Sequence, residues 1–181
     1  MIRKLLIPVL CLMSLATAVE ARRDRDNFRA TLNGTIISLV IEPPTATVDF
    51  VGEGRATKVG RYTALFPHTV NLVTLIEEGD MTLVARDNST VTIHLVGPST
   101  PTETPNVLNV SVSGPVTGGT GRFAGATGFI YGTGVVDLAA GTYVGEMHGT
   151  LRRNHCRGRG HARDDRHDHG DNDDDDDRDD H

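Results

Sequence analysis

The feature that most constrains this chain is an alternation of apolar and polar residues with a period of two. Ala46, Val48 and Phe50 alternate with Thr45, Thr47 and Asp49. Val91, Ile93 and Leu95 alternate with Thr92 and His94, and Leu108, Val110 and Val112 with Asn109, Ser111 and Ser113. A strand points successive side chains to opposite faces, so each such segment has one face to bury and one to leave in water. No window shows a sustained 3.6-residue apolar face. Further strands are predicted over Thr31–Ile41, Ala56–Phe66, Met81–Ala85, Gly128–Leu138 and Thr142–Leu151. Turn-forming clusters separate them: Glu42-Pro43-Pro44, Gly52-Glu53-Gly54, Glu78-Gly79-Asp80, Asp87-Asn88, Gly97-Pro98 and Ala140-Gly141. About eight short strands, each with one apolar side, hide their edges by closing on themselves. The expectation is an all-β fold, a small antiparallel barrel of about eight strands; a two-sheet sandwich is the alternative. A barrel of that size is filled by side chains or holds one small ligand.

With 181 residues the chain is long enough for one such domain. Trp is absent and there are only 5 Phe and 3 Tyr, so the core must come from Val, Leu, Ile, Ala and Thr, which suit a pleated surface. Charge is unevenly spread. Residues 31–151 carry ten acids and five bases, whereas residues 152–181 carry eleven Asp and seven Arg. The chain therefore divides into a leader over residues 1–21, a charged lead over 22–30, a barrel domain over 31–151 and a tail over 152–181.

The leader reads as an export signal: Arg3 and Lys4, an apolar run from Leu5 to Ala18, then Ala16-Thr17-Ala18 as a cleavage site, with Ala18-Val19-Glu20-Ala21 as a second. The run is shorter than the ~20 residues a spanning helix needs. A secreted protein, extracellular or periplasmic, is expected, with no membrane span. Removing the leader removes Cys11 and leaves Cys156 as a lone thiol, so no internal disulfide is expected.

The most distinctive stretch runs from Gly114 to Gly132. Gly119-Thr120-Gly121-Arg122-Phe123-Ala124 imitates a dinucleotide-binding turn, but such a turn must open a helix. Here a strand-like run, Val135-Val136-Asp137-Leu138, follows instead, so nucleotide binding is excluded. The structural reading places the glycines at a barrel corner, with Phe123 packed inside and Arg122 held against carboxylates or carbonyls.

Gly118-Gly119-Thr120-Gly121-Arg122-Phe123, followed by Ala124-Gly125-Ala126-Thr127-Gly128, resembles the allene oxide cyclase barrel-like and dirigent-like proteins, notably secreted bacterial members of unassigned role. Upstream, Gly54-Arg55-Ala56-Thr57-Lys58-Val59-Gly60, His68-Thr69-Val70 and Gly79-Asp80-Met81-Thr82-Leu83 extend the resemblance over roughly residues 31–151. It implies an eight-stranded calycin-like barrel. Arg86-Asp87-Asn88 departs from the Ala-Asn-Gly-Asp often found there, and no catalytic position of the family maps onto a residue of this chain.

Polar residues able to converge on a cavity are Arg61, Tyr62, His68, Arg86, His94, Arg122, Tyr131, Glu146 and His148. Of these, Arg61, His94, Arg122, Glu146 and His148 are taken as ligand-binding candidates. Glu146 and His148 share a strand face at i, i+2 and, with His94, supply the donors of an acid/base pair or a metal site. The rival reading makes that face the solvent side of the barrel. In the tail, eleven Asp follow five Arg, and apolar residues are too few to offset ordering, so disorder is expected there. Its His161, His167, His169, Asp168 and Asp171 are candidate ligands for divalent cations, bound weakly. No other cofactor and no nucleic acid are expected, and homo-oligomerisation is left open. Two functions remain: a non-catalytic barrel binding a small ligand or acting at the cell envelope, or a cyclase or isomerase confining a reactive intermediate.

Overall fold

The computed structural model describes residues 27–153, so the expectations for the leader, Cys156 and the tail lie outside the described residues. Eight strands, β1 (Asn27–Glu42), β2 (Thr45–Ala56), β3 (Gly60–Asn71), β4 (Ile76–Ala85), β5 (Thr90–Pro101), β6 (Val107–Gly119), β7 (Thr127–Asp137) and β8 (Thr142–Arg152), follow one another in the chain. Each pairs antiparallel with the next, and β8 returns to β1 to close the barrel. A sandwich is thereby excluded. Among the described residues, no helix is long and apolar enough to cross a membrane.

The alternation does what its period requires. Ala46, Val48 and Phe50 are buried, as are Val91, Ile93 and Leu95, while their neighbours face outward. Three expected turns are corrected: Gly52-Glu53-Gly54 lies inside β2, Glu78-Gly79-Asp80 inside β4 and Gly97-Pro98 inside β5. The β2–β3 break falls instead at Thr57–Val59, with Lys58 at φ 70°. The reason is close approach within a strongly curved sheet. A Cβ on Gly79 would lie 2.5 Å from the Pro67 carbonyl oxygen and 2.6 Å from the His68 Cβ. These glycines bend strands rather than end them.

One end of the barrel is packed shut. Phe28, Leu83, Phe123 and Ile130 are completely buried there. Phe123 belongs to a single 3-10 turn, Gly121–Phe123, that carries the chain from β6 to β7. Gly121 sits at φ 57°, where a side chain would also run into Ser89. Arg122 donates from Nη2 to the Val59 carbonyl at 2.7 Å, and its Nε lies 3.3 Å from Asp87 Oδ2. It thereby ties the β2–β3 and β4–β5 turns to the β6–β7 connection. The opposite end stays open.

Candidate functional site

At the open end, inward side chains of several strands surround a cavity of about 230 Å³. Ile36, Val48, Phe50, Phe66, Val110 and Val136 give it an apolar wall, and Leu39, Ile41 and Leu138 stand exposed at the mouth. By the scale on which a cavity of about 150 Å³ accepts benzene, this space takes a molecule of on the order of ten non-hydrogen atoms.

Two ionisable groups interrupt the wall. His68 on β3 and Glu77 on β4 are both almost fully enclosed, with His68 Nε2 3.6 Å from Glu77 Oε2. His68 Nδ1 lies 3.0 Å from the Phe66 carbonyl oxygen. A carbonyl only accepts, so the proton is assigned to Nδ1 and the Nε2 lone pair faces Glu77. The ring also stacks on Phe66, with centroids 4.2 Å apart. Among the described residues, Glu77 Oε1 has no hydrogen-bond partner.

Burial decides both charge states. Leaving the Glu77 carboxylate in an apolar wall is costly, and its pKa is pushed up to about 7. Burial likewise lowers that of His68, against smaller opposing effects of the Phe66 carbonyl and Asp49. Below about pH 7 the favoured form is a protonated acid facing a neutral imidazole, because an ion pair here would desolvate two charges while Glu77 Oε1 finds no hydrogen bond among the described residues. Tyr143, on β8, packs edge-on to Phe50 and lines the same cavity. Burial, and then the charge of Glu77, push its hydroxyl up to about 12, so it remains a neutral donor.

None of the five ligand-binding candidates lines this cavity. Glu146 and His148 point outward from β8, where His148 stacks on Tyr131 at 5.4 Å. Those two share an outer depression with Arg29 and Arg55, but His94 lies elsewhere. His94 is on the outer face of β5, its Nδ1 2.9 Å from Asp80 Oδ1 and its Nε2 3.4 Å from Glu78 Oε1. Arg61 and Arg122 border a separate depression at the closed end. Among the described residues, no three His, Cys, Asp or Glu side chains are placed to share a metal ion. The tail candidates His161, His167, Asp168, His169 and Asp171 fall outside the described residues.

Glu77 and Tyr143 were not singled out by sequence, although parity contained the signal. Glu77 falls in phase with Met81, Leu83 and Ala85, and His68 in phase with Tyr62, Ala64 and Phe66. Reading Glu78-Gly79-Asp80 as a turn started the strand at Met81 and so left Glu77 outside it.

No family model and no curated protein matches the chain. Among solved structures it is similar to that of the pterocarpan synthase dirigent protein GePTS1, with 15% identity and a TM-score of 0.44 over 70% of this chain and 85% of that one. The structure of a second, PsPTS1, aligns with 12% identity and a TM-score of 0.43, over 70% of this chain and 95% of that one.

Proposed function

We propose that this is an exported barrel enzyme of the isomerase or cyclase kind, which encloses one small, largely apolar molecule and moves a proton on it. The observation that carries the reading is Glu77, a buried carboxyl with an unpartnered oxygen, facing the free lone pair of His68 in an apolar chamber. General acid–base chemistry works best when the group titrates near the working pH, and burial has brought Glu77 there. The acid gives its proton to one atom of the enclosed molecule while the imidazole accepts one from another. Tyr143 supplies a neutral hydroxyl to an oxygen that gains charge. The apolar wall keeps water from competing. Of the two functions expected from sequence, the cavity favours this one, because simple retention of an apolar ligand gives no reason to bury an acid beside a base.

A small carbon acid tests it. Cyclohex-3-enone fits the cavity by size, and its conversion to cyclohex-2-enone removes a proton from C2 and returns one to C4. The protein should accelerate that conversion, and Glu77→Gln should reduce the rate at least about tenfold. Tight retention of the ketone without conversion leaves a binding protein and overturns the reading.

A further inference from the structure

All eight Lys and Arg of the described residues gather at the closed end of the barrel: Arg29, Arg55, Lys58, Arg61, Arg86, Arg122, Arg152 and Arg153. The open end carries Glu42, Glu77, Glu78, Asp80, Glu103 and Asp137, with no Lys or Arg among the described residues there. Within the basic end, Arg55, Arg61, Arg86 and Arg122 border one depression of about 450 Å³. Asp87 is the single carboxylate on its rim, and it is engaged by Arg122. Arg55 stands directly opposite Arg61 across the β2–β3 hairpin. Like charges placed opposite one another repel, and among the described residues no ion pair or hydrogen bond engages the side chains of Arg55, Arg61 or Arg86. Three unpaired guanidiniums around one hollow make a surface that attracts an anion.

The sequence supplies that anion. We propose that the Asp-rich segment Asp164–Asp180 of the same chain docks on the Arg55–Arg61–Arg86 surface. β8 delivers the chain to the basic end, ending at Arg152. The eleven steps from Arg153 to Asp164 reach at most about 40 Å, enough to turn back onto the hollow. The segment brings eleven Asp within seventeen residues. Tethering gives those carboxylates a local concentration on the order of millimolar, so weak individual contacts suffice. Free inorganic anions and the tail of a second copy offer the same chemistry without the tether.

Paramagnetic broadening distinguishes these sources. The full chain, with Cys11→Ser and Cys156→Ser, would carry a spin label at Asn172→Cys. At about 20 mM NaCl, the amides of Gly60, Arg61 and Asn88 should broaden strongly while Asn106 at the open end does not. The effect should vanish at about 0.5 M NaCl, where screening is nearly complete, and in the Arg55→Gln/Arg61→Gln/Arg86→Gln variant. No broadening at low salt overturns the proposal, as does broadening indifferent to the three substitutions. Equal broadening of unlabelled molecules mixed with labelled ones assigns the contact to a second copy and overturns it too.

Discussion

Glu77 and His68 meet diagonally across the β3–β4 ladder, where His68 stands opposite Gly79 and Val70 opposite Glu77. The missing side chain at Gly79 leaves the backbone of β4 close against His68, and Nε2 then lies 3.6 Å from the carboxyl. That distance is too long for a hydrogen bond and short enough for one to form once either side chain shifts around a ligand. A single glycine thus sets the spacing of the acid and base.

The first prediction follows from that spacing. Gly79→Ala puts a methyl where the His68 Cβ and the Pro67 carbonyl already sit. The variant should lose about 1–3 kcal/mol of stability, as overpacked sites do. Proton-transfer activity should fall further than stability explains. Chemical denaturation alongside the ketone assay measures both.

Stability should also report the Glu77 proton. The carboxyl titrates near 4.5 when unfolded and near 7 when folded, so the folded state holds the extra proton between those values. Its contribution is intact below about pH 4.5 and is lost as pH rises through about 7, by roughly 3 kcal/mol. His68, with a lowered pKa, acts in the opposite sense, favouring the folded state as pH rises toward 6.5. Comparison with Glu77→Gln removes the His68 effect. Relative to that variant, the native protein should lose stability steadily from pH 4.5 to 7.5; parallel curves would mean the carboxyl is already ionised.

At the closed end, Gly121 combines φ 57° with a neighbour, Ser89, that would meet any Cβ. Gly121→Val should therefore cost a few kcal/mol through strain and displacement of the Phe123 plug. Thermal unfolding decides it, and an unchanged melting temperature would remove the backbone role assigned to this glycine.

The tail is expected to bind divalent cations through its own side chains, in competition with its docking on the basic end of the barrel. Clustered Asp carboxylates repel one another, and a cation relieves that repulsion, with His167 and His169 biasing the choice toward zinc. Deleting residues 152–181 should abolish calorimetric zinc binding and leave the β-type circular dichroism intact. Equal affinity without the tail would place the ions on the barrel.

Strand count, order of burial and closure were all legible in the sequence because period two is a local signal that each strand carries by itself. The plug at Phe123 and its clamp at Arg122 were legible for a related reason: glycines, an arginine and an aromatic sit within a few residues of one another. The acid/base pair was harder. His68 and Glu77 lie on different strands, and their meeting depends on a register that no single strand encodes. Gly79, Gly54 and Gly97 misled because a glycine that permits close approach looks the same in sequence as one that permits a turn. His94, Glu146 and His148 share an outward parity, so their spacing reflected the solvent side of the barrel.

The most direct measurement is the titration of the Glu77 side chain by carboxyl ¹³C resonance, assigned with Glu77→Gln. A midpoint near 7 is predicted, with a further rise when a small apolar molecule such as toluene fills the cavity and removes the remaining water. A midpoint near the ordinary 4.5, unmoved by the added molecule, would contradict it.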